Sequence, residues 1–327
     1  MKLNSYQYPN IQTLQLDKSL SLEPLQDNFP FEKKVRDFKM QFDFNDLNFF
    51  SFTIEGLLGF MCKLKGKIAV SLGESQALIY AANAYKNLGF EVSFIELNRD
   101  GSVNLEQLND LELDYIFISP YVMDTFVKTD LSQVKAINGD ATLVSNVSAS
   151  QEQIDLVDIA LFDAYKLTGF QTQSIALHNG ELDEQYLGEM DAIALELITK
   201  ALNSFQYNCD YKSKVVTALQ TALKDDFFFF VEPNSTLENT LHFGLKNIKA
   251  REMIRTLSLG EIFVTNGEGC SLGLSRPSKI IQAMGYSELE SRQALSLSFL
   301  NDLDEASIEN LAQTIAKKYR QIRMLNA

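Results

Sequence analysis

A chain of 327 residues, 46% hydrophobic and 22% charged, is long enough to bury a sizeable core as one large or two medium domains. Its formal net charge of −14 gives a surface that repels phosphate backbones and anionic lipids, which excludes nucleic acid and membranes as partners. The three cysteines, Cys62, Cys209 and Cys270, are too widely spaced for a disulfide framework or a paired-cysteine zinc site, and they suit a reducing cytoplasm.

In chain order, the opening segment has no apolar core of signal-peptide length, and no later run approaches a membrane span. Residues 1–45 read as an amino-terminal arm, either packed on a carboxyl-terminal domain or replacing elements of the main sheet. From about 66 to 180, short apolar runs alternate with helical patterns. Strands are expected at 67–72, 91–97, 114–119, 142–146, 156–162 and 174–178. A helix is expected over 73–88, with Leu78, Ala81, Ala82, Tyr85 and Leu88 at helical spacing and Gly89 as its stop.

A long helix near 191–205 ends this region. Strands follow at 227–231 and 240–245, then a helix at 249–259, a strand at 261–265 and a glycine-bearing loop at 266–273. Pro277 opens a short helix that Gly285 closes, and Ser287 with Glu290 forms a capping box for the next. The last helix starts near Asp304 and carries Ile308, Leu311, Ile315, Tyr319 and Ile322 on one face. The predicted fold is α/β: a mostly parallel sheet with helices on both faces over 46–205, and a smaller α+β domain over 206–327.

Chemistry is sparse. The two histidines, His178 and His242, sit in strand-like alternations and read as structural, so neither a hydrolase triad nor a zinc site is supported. Lys166 lies just past an apolar strand, where open α/β sheets hold ligands. It is either a solvated loop lysine or an amine set to attack a carbonyl. Cys270 is flanked by glycines, with Arg276 and Lys279 following, so it is either an inert loop cysteine or a reactive thiolate.

The segment VTNGEGCSLGLSRPSKIIQAMGY resembles the small domain of cysteine desulfurases, pyridoxal-phosphate enzymes of the class V aminotransferase family. LVDIALFDAYKLTGFQTQSIAL and LGFEVSFIELNRDGSVNLEQLND resemble the family's large domain, so the likeness covers roughly 66–325. It implies the pyridoxal-phosphate fold type I, with Lys166 as the cofactor lysine and Cys270 as the persulfide-forming cysteine. By that resemblance cysteine displaces Lys166 from the cofactor, and Cys270 then takes the substrate sulfur with release of alanine. It also implies a cytoplasmic homodimer, with cysteine as substrate and a sulfur-acceptor protein as partner.

The matching cofactor positions differ from the family pattern. Asn146 stands where the family has an aspartate, Ser75 where it has a ring-stacking histidine, Ala149 where it has a glutamine, and Tyr165 where it has a histidine. Asp163 replaces a phosphate-binding serine, and Ser296 replaces the arginine that grips the substrate carboxylate. Three readings therefore stand: a divergent desulfurase, a non-catalytic relative that acts as a partner or accepts sulfur, and a transaminase in which Cys270 is incidental.

Overall fold

In the strands, alternate side chains point to opposite faces, and here both faces are apolar, as a sheet covered on both sides requires. The computed structural model describes residues 1, 3, 25, 28–182, 188–204, 211–267, 276–299 and 303–326. Seven strands form the main sheet: β1 (Asp46–Phe50), β2 (Ile68–Ser71), β3 (Val92–Ile95), β4 (Tyr115–Phe117), β5 (Thr142–Asn146), β6 (Ile159–Phe162) and β7 (Ser174–His178). Their spatial order is β1-β7-β6-β5-β4-β2-β3. The run from β3 to β6 is parallel, while β7 and β1 add antiparallel strands at one edge.

Six helices accompany the main sheet: α1 (Phe29–Gln41), α2 (Ile54–Leu64), α3 (Gln76–Asn87), α4 (Leu131–Ile137), α5 (Ala164–Thr168) and α6 (Ala192–Ser204). Ile68 and Val70 of β2, with Ile159 and Leu161 of β6, pack on Phe60 of α2 and Leu78 and Ala82 of α3. The alternate residues Ala69, Ala160 and Phe162 face α1, α4 and α6 through Phe38, Val134 and Ile198. Phe38 meets Phe162 edge-to-face with centroids 5.5 Å apart, a geometry worth about 1 kcal/mol beyond area burial. The helix expected from residue 73 starts later. Ser75 is its cap, accepting from Leu78 N at 3.2 Å, and Glu74 is held by Ser119 N at 2.6 Å.

The remainder comprises α7 (Tyr211–Leu223), β8 (Phe227–Phe228), β9 (Thr240–Leu245), α8 (Ala250–Ser258), α9 (Lys279–Ala283), α10 (Glu288–Ser291), β10 (Ala294–Ser298) and α11 (Glu305–Asn326). Its antiparallel sheet runs β10-β9-β8. Leu241, Phe243, Leu295 and Leu297 form a core with Leu219 of α7, Met253 of α8 and the apolar face of α11. The expected strand at 227–231 stops at Phe228, because Phe230 and Val231 turn into the core of the main sheet. The segment 261–265 is no strand. It bridges from Thr265 to Ser296 and receives the amino end, Leu3 N donating to Phe263 O at 2.9 Å. Ser298 N in turn donates to Leu3 O at 2.9 Å.

Pro277 stands one residue before the cap of α9 and not within its first turn. The cap is Ser278, whose side chain accepts from Ile281 N at 3.2 Å. The capping box at Ser287 and Glu290 is present. Among the described residues, no helix is long and apolar enough to cross a membrane.

Candidate active site

Strand order reverses between β2 and β4: the chain leaves β2 for β3 on one side and returns to β4 on the other. Loops diverging from such a point leave a crevice outside the carboxyl ends of the strands. A cleft of about 680 Å³ opens there. Its wall is built by Ser51 to Thr53 ahead of α2, by Ser75 at α3, by Asp124 after β4, by Asp163, Tyr165 and Lys166 after β6, and by Arg276 to Lys279.

Lys166 sits on the short α5, which both of its ends fix. Asp163 caps it, accepting from Tyr165 N at 3.0 Å and Lys166 N at 3.3 Å. Gly169 ends it at φ 75°, a left-handed turn that glycine takes without steric cost. Lys166 is thereby buried, with Nζ 3.1 Å from Met123 Sδ. The same Nζ lies 5.4 Å from the Tyr121 ring centroid and 5.6 Å from that of Phe126.

Those neighbours come from a strained turn. Asp124 (φ 63°) and Phe126 (φ 60°) are both left-handed, a rare conformation for a bulky residue. The turn persists because surrounding bonds over-determine it. Val122 N donates to Val127 O at 2.8 Å, Met123 N to Gly73 O at 2.8 Å, and Ser296 Oγ to Asp124 O at 2.8 Å. Ser296, predicted at the carboxylate-gripping position, is thus fully buried and committed to the backbone.

Burial pushes the Asp163 carboxyl above the usual carboxylate range, and the opposing pull of the Lys166 charge and two backbone N–H groups is the smaller effect. Asn146, at the end of β5, is buried beside this wall. Its Oδ1 accepts from Ser148 Oγ at 2.6 Å, Ser148 N at 3.0 Å and Tyr121 Oη at 3.4 Å, whereas its Nδ2 has no hydrogen-bond partner. Ser75 lines the cleft with its Oγ spent on capping α3, and Tyr165 lines it next to Lys166. Ala149 is buried and donates its N–H to Tyr121 Oη at 3.2 Å.

Lys166, Tyr165 and Ser75 therefore share one cleft, while Asn146 is buried and does not line it. Cys270 lies outside the described residues. The chain on either side of it is fastened to Asp124. Gly267, at φ 111°, packs so closely that a Cβ there would sit 2.1 Å from the Asp124 carboxyl carbon, and Ser278 Oγ donates to Asp124 Oδ2 at 2.8 Å. Tyr121, Met123, Asp124 and Phe126 escaped the sequence reading. Their one signal was position, in the run that follows a strand's carboxyl end.

No family model matches the chain. A cysteine desulfurase of Archaeoglobus fulgidus is 23% identical over 294 residues, covering 80% of this chain and 76% of that protein. A NifS-like protein from Rickettsia africae superposes with a TM-score of 0.72 at 17% identity, covering 98% of this chain and 99% of its own. The chain has the NifS-like fold. SspA, solved in complex with cysteine, shares it with a TM-score of 0.64 at 14% identity, over 90% of this chain and 92% of its own. In the NifS-like fold of this chain, the sheet reversal, Lys166 and the cleft coincide.

Proposed function

We propose that the chain is a divergent, pyridoxal-phosphate-dependent cysteine desulfurase-like protein that moves sulfur from cysteine to Cys270 and releases alanine. The observation that carries this reading is Lys166: a buried lysine just past a parallel strand, lining the cleft of a chain similar to cysteine desulfurases over 80% of its length. A cytoplasmic homodimer handing sulfur to an acceptor protein is the setting this reading expects.

The residues present fit the cofactor. Lys166 Nζ is an amine for its aldehyde. Thr53 Oγ1 and the amino end of α2 offer donors for its phosphate, Ser51 Oγ already donating to Thr53. Asn146 Nδ2 is a buried donor without an acceptor, although Asn146 does not itself line the cleft. At Asp163 burial raises the carboxyl pKa, which lessens its repulsion of a phosphate. When bound, pyridoxal phosphate supplies an aldehyde for the substrate amine and an electron sink.

The remaining tasks fall to the chain. Tyr121, Met123 and Phe126 keep water from Lys166 Nζ. Gly267, three residues before Cys270, packs against Asp124 of the cleft wall. In this reading Cys270 Sγ bonds to the substrate sulfur as the Cβ–S bond breaks. The products are a persulfide on the protein and, after proton addition at carbon, alanine.

The engagement of Lys166 Nζ by Met123 Sδ, and the lack of an aromatic face at Ser75, favour the second reading, a non-catalytic partner or sulfur acceptor. The deciding experiment is a visible spectrum of the purified protein with added pyridoxal phosphate, followed by borohydride reduction and peptide mapping. A band trapped on Lys166 supports the first reading, and Lys166 left unmodified supports the second. Retention of turnover by Cys270→Ser would instead indicate a transaminase.

A further inference from the structure

A substrate of the cleft that carries a carboxylate needs a cation, and Ser296 supplies none. Its hydroxyl is fully buried and bonded to Asp124 O. The cationic side chains lining the cleft, among the described residues, are Lys166, Arg276 and Lys279. Lys166 is enclosed by Tyr121, Met123 and Phe126. Lys279 is exposed on a flexible stem, with its Nζ 3.5 Å from Gln282 Oε1.

Arg276 differs from both. Its backbone is fixed twice: Pro277 restricts the preceding residue to extended conformations, and the buried Asn266 donates Nδ2–H to Arg276 O at 2.7 Å. Ser278, two residues on, is tied to Asp124 at 2.8 Å. The guanidinium itself is exposed and makes no hydrogen bond or ion pair with any described residue. A planar fork of donors on an anchored backbone matches a carboxylate in two parallel bonds, and little ordering remains to be done on binding.

We propose that Arg276 is the carboxylate clamp of this cleft. The ligand class is then a small α-amino acid with a free carboxylate, whose amine is directed at the cofactor end of the cleft. This assignment rests on the reading of the cleft as an amino-acid site. Arg276 is a specificity residue, and it stands on a different element from the predicted position at Ser296.

The test compares L-cysteine with cysteamine, which lacks only the carboxylate. Binding is measured by calorimetry, with and without added pyridoxal phosphate, on the parent, Arg276→Gln and Arg276→Lys. The parent is expected to prefer L-cysteine. Arg276→Gln should weaken L-cysteine by about 10- to 100-fold, the loss of one charge-assisted pair, and leave cysteamine unchanged. Arg276→Lys, which keeps the charge and loses the fork, should fall between. Equal affinity of the parent for both ligands, an unchanged preference in Arg276→Gln, or no binding of L-cysteine overturns the clamp. Failure of the cofactor reading looks different: no visible band on Lys166 in any variant, with the carboxylate preference still lost in Arg276→Gln.

Discussion

Lys166 can be judged by what holds it. Asp163 caps its helix, Met123 receives its amine, and Tyr121 and Phe126 wall it from water. Lys166→Ala should abolish any visible band with pyridoxal phosphate while leaving thermal unfolding within a few degrees, as spectroscopy and calorimetry can show. Asp163 gives a sharper test. Its folded pKa is raised, so the charged form is the disfavoured one. Below a carboxylate's ordinary pKa of about 3.9 its burial carries no charge penalty, and the penalty grows as pH rises from there towards the folded value. Asp163→Asn keeps the capping oxygen and removes the charge. It should be more stable than the parent to urea at pH 7, with the gain vanishing near pH 4. The same change should tighten pyridoxal phosphate, because whatever carboxylate–phosphate repulsion Asp163 still exerts is gone.

At the scale of elements, Ser278 serves two neighbours, capping α9 and bonding Asp124 across the cleft wall. Ser278→Ala should cost about 1–2 kcal/mol in chemical denaturation, the usual value of a lost cap, and more if Asp124 relaxes. How far such elements could be read from sequence depended on how local their causes are. β2, β5 and β7 announce themselves as apolar runs, and α11 by the spacing of Ile308, Leu311, Ile315 and Tyr319. α1, α2, α4, α5, β1 and β10 are not legible in the sequence. The β1 sequence Asp46–Phe50 becomes a strand through its pairing with β7, 124 positions away from Phe50 to Ser174 and wider elsewhere, which no local pattern encodes. In the site, Lys166 was legible because it follows a clear strand. Met123 and Phe126 were not, because a left-handed turn held by Ser296 and Gly73 directs them.

At the scale of the whole molecule, a second buried group ties stability to pH. His242 on β9 has both ring nitrogens buried without partners, its ring 5.6 Å from that of Phe230. Burial lowers its pKa to about 3. The unfolded chain takes up this proton near pH 6.5 and the folded chain does not, so stability falls as pH drops from about 6.5 towards 3. At full effect the slope is about 1.4 kcal/mol per pH unit. His242→Leu should flatten the urea-unfolding profile between pH 5 and 7 relative to the parent. Because no hydrogen bond is lost, it should leave stability at pH 7 equal or higher.

The bonds from Leu3 to Phe263 and Ser298 also set a timetable. At roughly 5–20 residues per second, a ribosome makes Leu3 about 15–60 s before Ser298. Through that interval the main sheet can assemble, while the small sheet's rim still lacks the residues that Leu3 joins. Joining these two distant segments is thus a closing event, and a bulky fusion ahead of Met1 should slow it more than it disturbs the cleft.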